Sequence, residues 1–127
     1  MNVLAVGLDL VDVARIESML GRYGDRALDR LLLAGEREYC TRQALPARHV
    51  AARVAAKEAT YKALSQAGTD HVIWWHDVEV ISRPNGGPAL ELHGRGRACA
   101  DELEVSTSLV SLTHSDTAAA AVVMLLG

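Results

Sequence analysis

Phenylalanine is absent from this chain of 127 residues, and two Trp and three Tyr supply all of its aromatic rings. The core must therefore rest on Val, Leu, Ile and Ala, and a chain of this size with so few large side chains is inclined to add oligomer contacts. Cysteine is equally sparse. Cys40 and Cys99 form neither a CxxC metal pair nor a disulfide framework, which points to a reduced compartment. No segment reads as a signal peptide, and no apolar run reaches the roughly 18 residues of a membrane span. The Ala-Val-Val-Met-Leu-Leu stretch at 121–126 is apolar but far too short. The expectation is a soluble, cytoplasmic, one-domain protein spanning 1–127.

Half the residues are hydrophobic and 23% are charged, a globular composition. The formal net charge of −3 conceals an asymmetry. Residues 42–62 contain Arg42, Arg48, Arg53, Lys57 and Lys62 against a single acid, Glu58. Residues 63–127 contain three Arg against eight acids. Duplex nucleic acid is a poor match for an acidic chain, whereas a local anionic ligand is a good one.

Residues 3–10 alternate loosely, with Leu4, Val6, Leu8 and Leu10 on one face and Val3, Ala5, Gly7 and Asp9 on the other, as in a strand whose end presents Asp9. Helical spacing follows over about 13–22, 25–33 and 36–43. Pro46 suits the first turn of a long helix that runs to about Ala67, rich in Ala and stopped by Gly68. Beyond it, Val72–Ser82 is rich in β-formers, Pro84-Asn85-Gly86-Gly87 is a turn, and Leu90 and Leu92 alternate in a return strand. A short helix at 95–104 and two closing strands at Ser108–His114 and Ala118–Leu125 complete the chain. The class is α+β, a mostly antiparallel sheet packed on one long central helix.

Glu58 and Lys62, four residues apart, share one helix face. A lone carboxylate within a basic helix suits Mg²⁺ with a polyphosphate, because Mg²⁺ takes one or two carboxylates and fills its shell with water and phosphate oxygens. The same spacing equally describes a solvated pair worth about 0.2–0.5 kcal/mol. Asp9 is a second carboxylate, with Asp12 its rival; an unpaired charge buried on an apolar strand is costly, which points Asp9 to the strand's end and a cationic partner, and a surface turn acid is an equal reading. His114, at a strand end, reads either as a structural hydrogen-bonding residue or as part of a site.

Taken in order, Gly7-Leu8-Asp9 with Arg15-Ile16, then RVAAKEATYKAL at 53–64, NGGP at 85–88 and SLTHS at 111–115 closely resemble the holo-acyl-carrier-protein synthases, the small single-domain 4′-phosphopantetheinyl transferases. The resemblance covers nearly the whole chain. It implies that fold, and transfer of 4′-phosphopantetheine from coenzyme A to a serine of an acyl carrier protein of fatty-acid or polyketide type, with release of adenosine 3′,5′-bisphosphate. It further implies that Asp9 and Glu58 bind Mg²⁺ on the coenzyme's pyrophosphate and that Lys62 contacts the same phosphates. Arg53 and His114 would lie near the 3′-phosphate or adenine, and Asn85, Gly86 and Pro88 would line the adenine. Homotrimers with sites shared between neighbours are implied too, with a carrier-binding first helix that offers Arg15, Met19 and Arg22.

The physical chemistry agrees. A serine hydroxyl is a weak nucleophile and the diester phosphorus is shielded by negative charge, so cations must neutralise the oxygens and align attack. Glu58, directly or through a metal-bound water, is the first candidate for the base. Three departures from the family pattern stand out. Val54 replaces the usual aromatic, Ser65-Gln66-Ala67-Gly68 replaces a Gly-rich stretch, and residues 15–30 carry four Arg against three acids, a modest basic face. A pyrophosphate hydrolase using the same carboxylates and a coenzyme-A-binding module without turnover are the alternatives.

Overall fold

The computed structural model describes residues 1–127. Its elements are β1 (Val3–Asp12), α1 (Val13–Tyr23), α2 (Asp25–Leu31), α3 (Ala34–Thr41), α4 (Pro46–Ala67), a 3₁₀ turn (Trp75–Asp77), β2 (Val78–Ser82), β3 (Pro88–Leu92), α5 (Gly94–Glu102), β4 (Thr107–His114) and β5 (Ala118–Leu126). The strands form two antiparallel sheets rather than one: β1-β5-β4, and the hairpin β2-β3. The anticipated α+β arrangement holds, with α4 lying across β1 and β5. No helix is long and apolar enough to cross a membrane.

Pro46 opens α4 in its first turn, where its missing N–H costs nothing, and Gly68 closes it in the left-handed conformation at φ 116°. Between them, Ala51, Ala52, Ala55, Ala56, Ala59 and Ala63 are all buried. Small side chains let the helix come unusually close to the sheet. A Cβ placed on Gly7 of β1 would fall inside the backbone carbonyl of Ala59. β1 consequently turns its small residues inward, with Ala5, Gly7, Asp9 and Val11 buried, and leaves its bulky ones outside. Leu8 and Leu10 are 65% and 69% exposed.

β1 also runs two residues beyond its expected end and passes directly into α1. Asp9 is therefore an interior residue of the strand, paired in register with Ala121, and not its exposed terminus. That corrects the reading of Asp9 as a strand-end acid. Asp12, the rival carboxylate, points to solvent on the other side of the strand.

Beneath the far side of α4 lies an ion pair with no local sequence signature. Lys57 Nζ donates to Glu36 Oε1 at 2.7 Å and to the carbonyl oxygens of Trp75 and Val78 at 2.7 and 2.8 Å. Glu36 in turn accepts from the Leu33 and Val80 N–H groups. Both side chains are almost fully buried, at 2% and 0% exposure. Burial pushes the Lys57 pKa down, and Glu36 opposes that shift. A buried pair with every polar atom matched is costly to break from one side, because the survivor is left unpaired.

Two stability measurements follow. Gly7→Ala must push α4 off the sheet and should destabilise by about 1–3 kcal/mol or more, read by urea denaturation. Glu36→Gln should cost about 3–5 kcal/mol by the same assay, since it strands the Lys57 ammonium.

Candidate functional site

The close contact between β1 and α4 brings Asp9 opposite the Glu58–Lys62 face. Lys62 Nζ donates to Asp9 Oδ1 at 2.7 Å and to the Leu8 carbonyl at 3.1 Å. Asp9 is 8% exposed, and its Oδ2 is buried with no hydrogen-bond partner. Glu58 has its pKa pushed up to about 7, first by burial and then by the Asp9 carboxylate beside it, with Arg15 and Lys62 opposing. The Lys62 pKa is raised, chiefly by its bond to Asp9. Two adjoining carboxylates, one with an orphaned buried oxygen and the other with its pKa raised, are short of positive charge. A divalent cation fits that deficit and that oxygen donor set.

A second cluster occupies the N-terminal half of α4. Arg53 is buried, with its guanidinium carbon 4.2 Å from the centre of the Tyr39 ring and Nη1 donating to the His49 carbonyl at 3.3 Å. Its Nε has no partner. The His49 and His114 rings meet edge to face at 5.0 Å, and Arg48 reaches Asp116 at 2.8 Å. His49 has its pKa lowered by burial first, then by His114, Arg53 and Arg48. This concentration of cationic groups around an unpartnered N–H is suited to an anion. His49 was not singled out from the sequence, although its place four residues before Arg53 on one helix face was a legible signal.

Arg53 lies beside β2, in a recess of about 290 Å³ that also contains Tyr39, Arg42 and Ser82. Asn85, Gly86 and Pro88 are not part of that recess; they form the nearby tip and return of the β2–β3 hairpin. Gly86 has φ 87°, and Asn85 Oδ1 accepts the Gly87 N–H at 2.9 Å, so turn geometry alone accounts for both residues.

The three residues expected on the carrier face separate. Arg15 is close enough to Glu58 to lower its pKa. Arg22 is exposed and stacks on its neighbour Tyr23 at 5.7 Å. Met19 lines a hollow of about 610 Å³ with Tyr23, Arg26, Arg30 and Trp75. Arg26 and Arg30 were thus overlooked in the sequence, where they read only as part of a modest charge count.

A further group of potential metal ligands, Glu79, Glu91 and His93, has its donor atoms within 4.8 Å of one another on the β2–β3 hairpin. His93 Nε2 lies 2.8 Å from Glu79 Oε1. Glu79 and Glu91 face each other across the two strands, where like charges repel and a proton or cation relieves them.

The His49 shift makes a measurable claim. Its imidazole should titrate below 6.5 by NMR in the free protein. A folded-state pKa below the unfolded one means that the unfolded chain binds more protons. Its contribution to stability is present above about pH 6.5 and is lost as the pH falls below it. Phosphate bound at Arg53 should raise the His49 pKa, and Arg53→Ala should remove that response.

Comparison with known proteins is consistent with these features. The family model described as the 4′-phosphopantetheinyl transferase superfamily matches residues 5–123. The holo-[acyl-carrier-protein] synthase of Geobacter sulfurreducens is 38% identical over 123 residues, 97% of each chain. Among solved structures, the acyl carrier protein synthase of Mycobacterium tuberculosis is 35% identical over 98% of both chains with a TM-score of 0.75. The Helicobacter pylori holo-[acyl-carrier-protein] synthase in complex with coenzyme A is 28% identical, with 95% and 99% coverage and a TM-score of 0.80. Fold, motif order and relatives agree: this chain belongs to the 4′-phosphopantetheinyl transferase superfamily.

Proposed function

We propose that this protein is a holo-[acyl-carrier-protein] synthase, which transfers the 4′-phosphopantetheine group of coenzyme A to a serine hydroxyl of an acyl carrier protein. The observation that carries the assignment within this family is the carboxylate pair of buried Asp9 and half-buried Glu58, with Lys62 bonded at its edge. Asp9 and Glu58 would hold Mg²⁺, which when bound neutralises diphosphate oxygens and stabilises the leaving phosphate. Lys62 is half exposed and flexible enough to serve both Asp9 and a phosphate oxygen. The serine Oγ attacks the phosphopantetheine phosphorus, the P–O bond to adenosine 3′,5′-bisphosphate breaks, and the serine proton passes to Glu58.

The two charged clusters support a site shared between subunits. Arg53 and Glu58 are five residues apart on α4, which places them about 140° apart around the helix. A single coenzyme reaching both within one chain would have to cross the helix. Arg53 and His114 of a neighbouring subunit, with Asn85, Gly86 and Pro88 toward the adenine, would meet the coenzyme's 3′-phosphate end instead. The apolar outer face of the β1-β5-β4 sheet, with Leu8, Leu10, Leu109 and Val122 exposed, supports self-association into a homotrimer. The carrier partner is of fatty-acid or polyketide type and the setting cytoplasmic.

Incubation of apo-carrier protein with coenzyme A and Mg²⁺ should add about 340 Da to the carrier by intact mass, and chelation should abolish the gain. Asp9→Ala and Glu58→Ala should each lower the rate by a factor of about 100 or more. Cleavage of coenzyme A with no mass gain on any carrier would instead identify a hydrolase.

A further inference from the structure

β1 is an edge strand of its sheet, and side chains of α4 bond to its open edge. Gln66 Oε1 accepts the Val6 N–H at 2.9 Å, and one turn earlier Lys62 Nζ donates to the Leu8 carbonyl at 3.1 Å. The same ammonium donates to Asp9 Oδ1 at 2.7 Å. Lys62 thus holds oxygens of two adjacent residues, although its side chain is 56% exposed against 8% for Asp9. The acid is fixed by the fold, and the ammonium on its flexible stem is the movable member of the pair.

Lys62 and a metal ion would therefore compete for Asp9. The orphaned Oδ2 is the open oxygen of that carboxylate, and the adjoining Glu58 is reached through an apolar groove of about 250 Å³ walled by Tyr61, Trp74 and Trp75. A divalent cation entering there meets an ammonium already bonded to the other Asp9 oxygen, and two positive charges on one carboxylate repel. Lys62 is the one side chain that forms an ion pair with either acid; Arg15 acts on Glu58 only through its charge. Displacing the ammonium is costly unless it finds another anion. A diphosphate supplies one, because its oxygens can accept from Lys62 and coordinate the metal together.

We propose that Lys62 is a built-in counter-cation that holds the Asp9–Glu58 pair against the metal until the diphosphate of coenzyme A draws it away, so that metal and coenzyme bind cooperatively and not metal first. This rests on the transferase reading for the identity of the anion and adds to it an order of binding. One side chain is used twice, on Asp9 and then on phosphate. By linkage the coupling is reciprocal: the factor by which coenzyme A strengthens metal binding is the factor by which the metal strengthens coenzyme binding.

Binding of Mn²⁺ to the full-length protein, followed by EPR of the unbound ion, reads this without turnover. Lys62→Met, similar in length but uncharged, should bind Mn²⁺ alone about tenfold more tightly than wild type, because the site is no longer held closed by the ammonium. The strengthening of Mn²⁺ binding by coenzyme A should shrink by a like factor. Lys62→Arg, which keeps the charge, should bind Mn²⁺ alone as weakly as wild type. Arg15→Met, which removes a charge bonded to neither carboxylate, should strengthen Mn²⁺ binding clearly less than Lys62→Met. A folded Lys62→Met that binds Mn²⁺ alone no more tightly, or an equal gain in Arg15→Met, would overturn the inference. Wild-type protein gives a check that needs no variant: the ¹³C resonance of the Leu8 carbonyl should move when coenzyme A and Mg²⁺ are added together, as Lys62 leaves it, and an unmoved resonance would overturn the inference as well. So would coenzyme A that leaves the Mn²⁺ affinity of wild type unchanged. Intact coupling with transfer to no carrier would overturn the transferase reading alone.

Discussion

The closeness of α4 to β1 is the constraint on which the rest depends. Gly7 leaves no room for a side chain against the Ala59 backbone, and a row of buried Ala on α4 makes the approach possible along the helix. Asp9, two residues after Gly7 on the same strand face, is thereby pressed against Glu58 and Lys62. A looser interface would let Asp9 find water, and its orphaned oxygen and the raised pKa of Glu58 would both disappear. Tight packing here does more than stabilise: it creates a local deficit of positive charge. The same geometry forces the bulky Leu residues of β1 outward, so the site and the sticky sheet face have one common cause.

The sides of α4 do different work. One side carries Glu58 and Lys62 toward β1; the other carries His49 and Arg53 toward Tyr39 and His114 and, one turn further on, buries Lys57 against Glu36. The Lys57–Glu36 pair fastens α3, the 3₁₀ turn and β2 to the helix through five hydrogen bonds, two of them to the carbonyls of Trp75 and Val78. It contributes no free charge to the surface, and its value is positional. The turn it anchors supplies the Trp74 and Trp75 walls beside Glu58. Substitution at Lys57 should therefore disturb the site by releasing that turn.

Much of the fold was legible because its boundaries are set by local chemistry. Pro46 and Gly68 bracket α4 for reasons that need no tertiary context, and Asn85-Gly86 marks the hairpin by the same logic. The Asp9, Glu58 and Lys62 grouping was legible through motif order, and the structure places Lys62 on Asp9. What escaped was long-range or directional. Glu36 and Lys57 are 21 residues apart, and nothing near either predicts the other. The inward face of β1 was hidden because hydrophobicity favours the Leu face, whereas the space under α4 admits only the small one. Arg26, Arg30 and Trp75 gain meaning only when α1, α2 and the 3₁₀ turn surround one hollow.

The central claim is that the carboxylate pair between β1 and α4, and not the Glu79–Glu91–His93 group on the hairpin, would receive a divalent cation when coenzyme A binds. Both sets have oxygen donors, but only the first has a buried oxygen left without a partner. The most direct measurement is a crystal structure of the protein grown with coenzyme A and Mn²⁺ in place of Mg²⁺, with the manganese located by anomalous scattering. The account predicts a peak bridging Asp9, Glu58 and a diphosphate oxygen. A peak confined to the hairpin, with Asp9 still bonded only to Lys62, would contradict it.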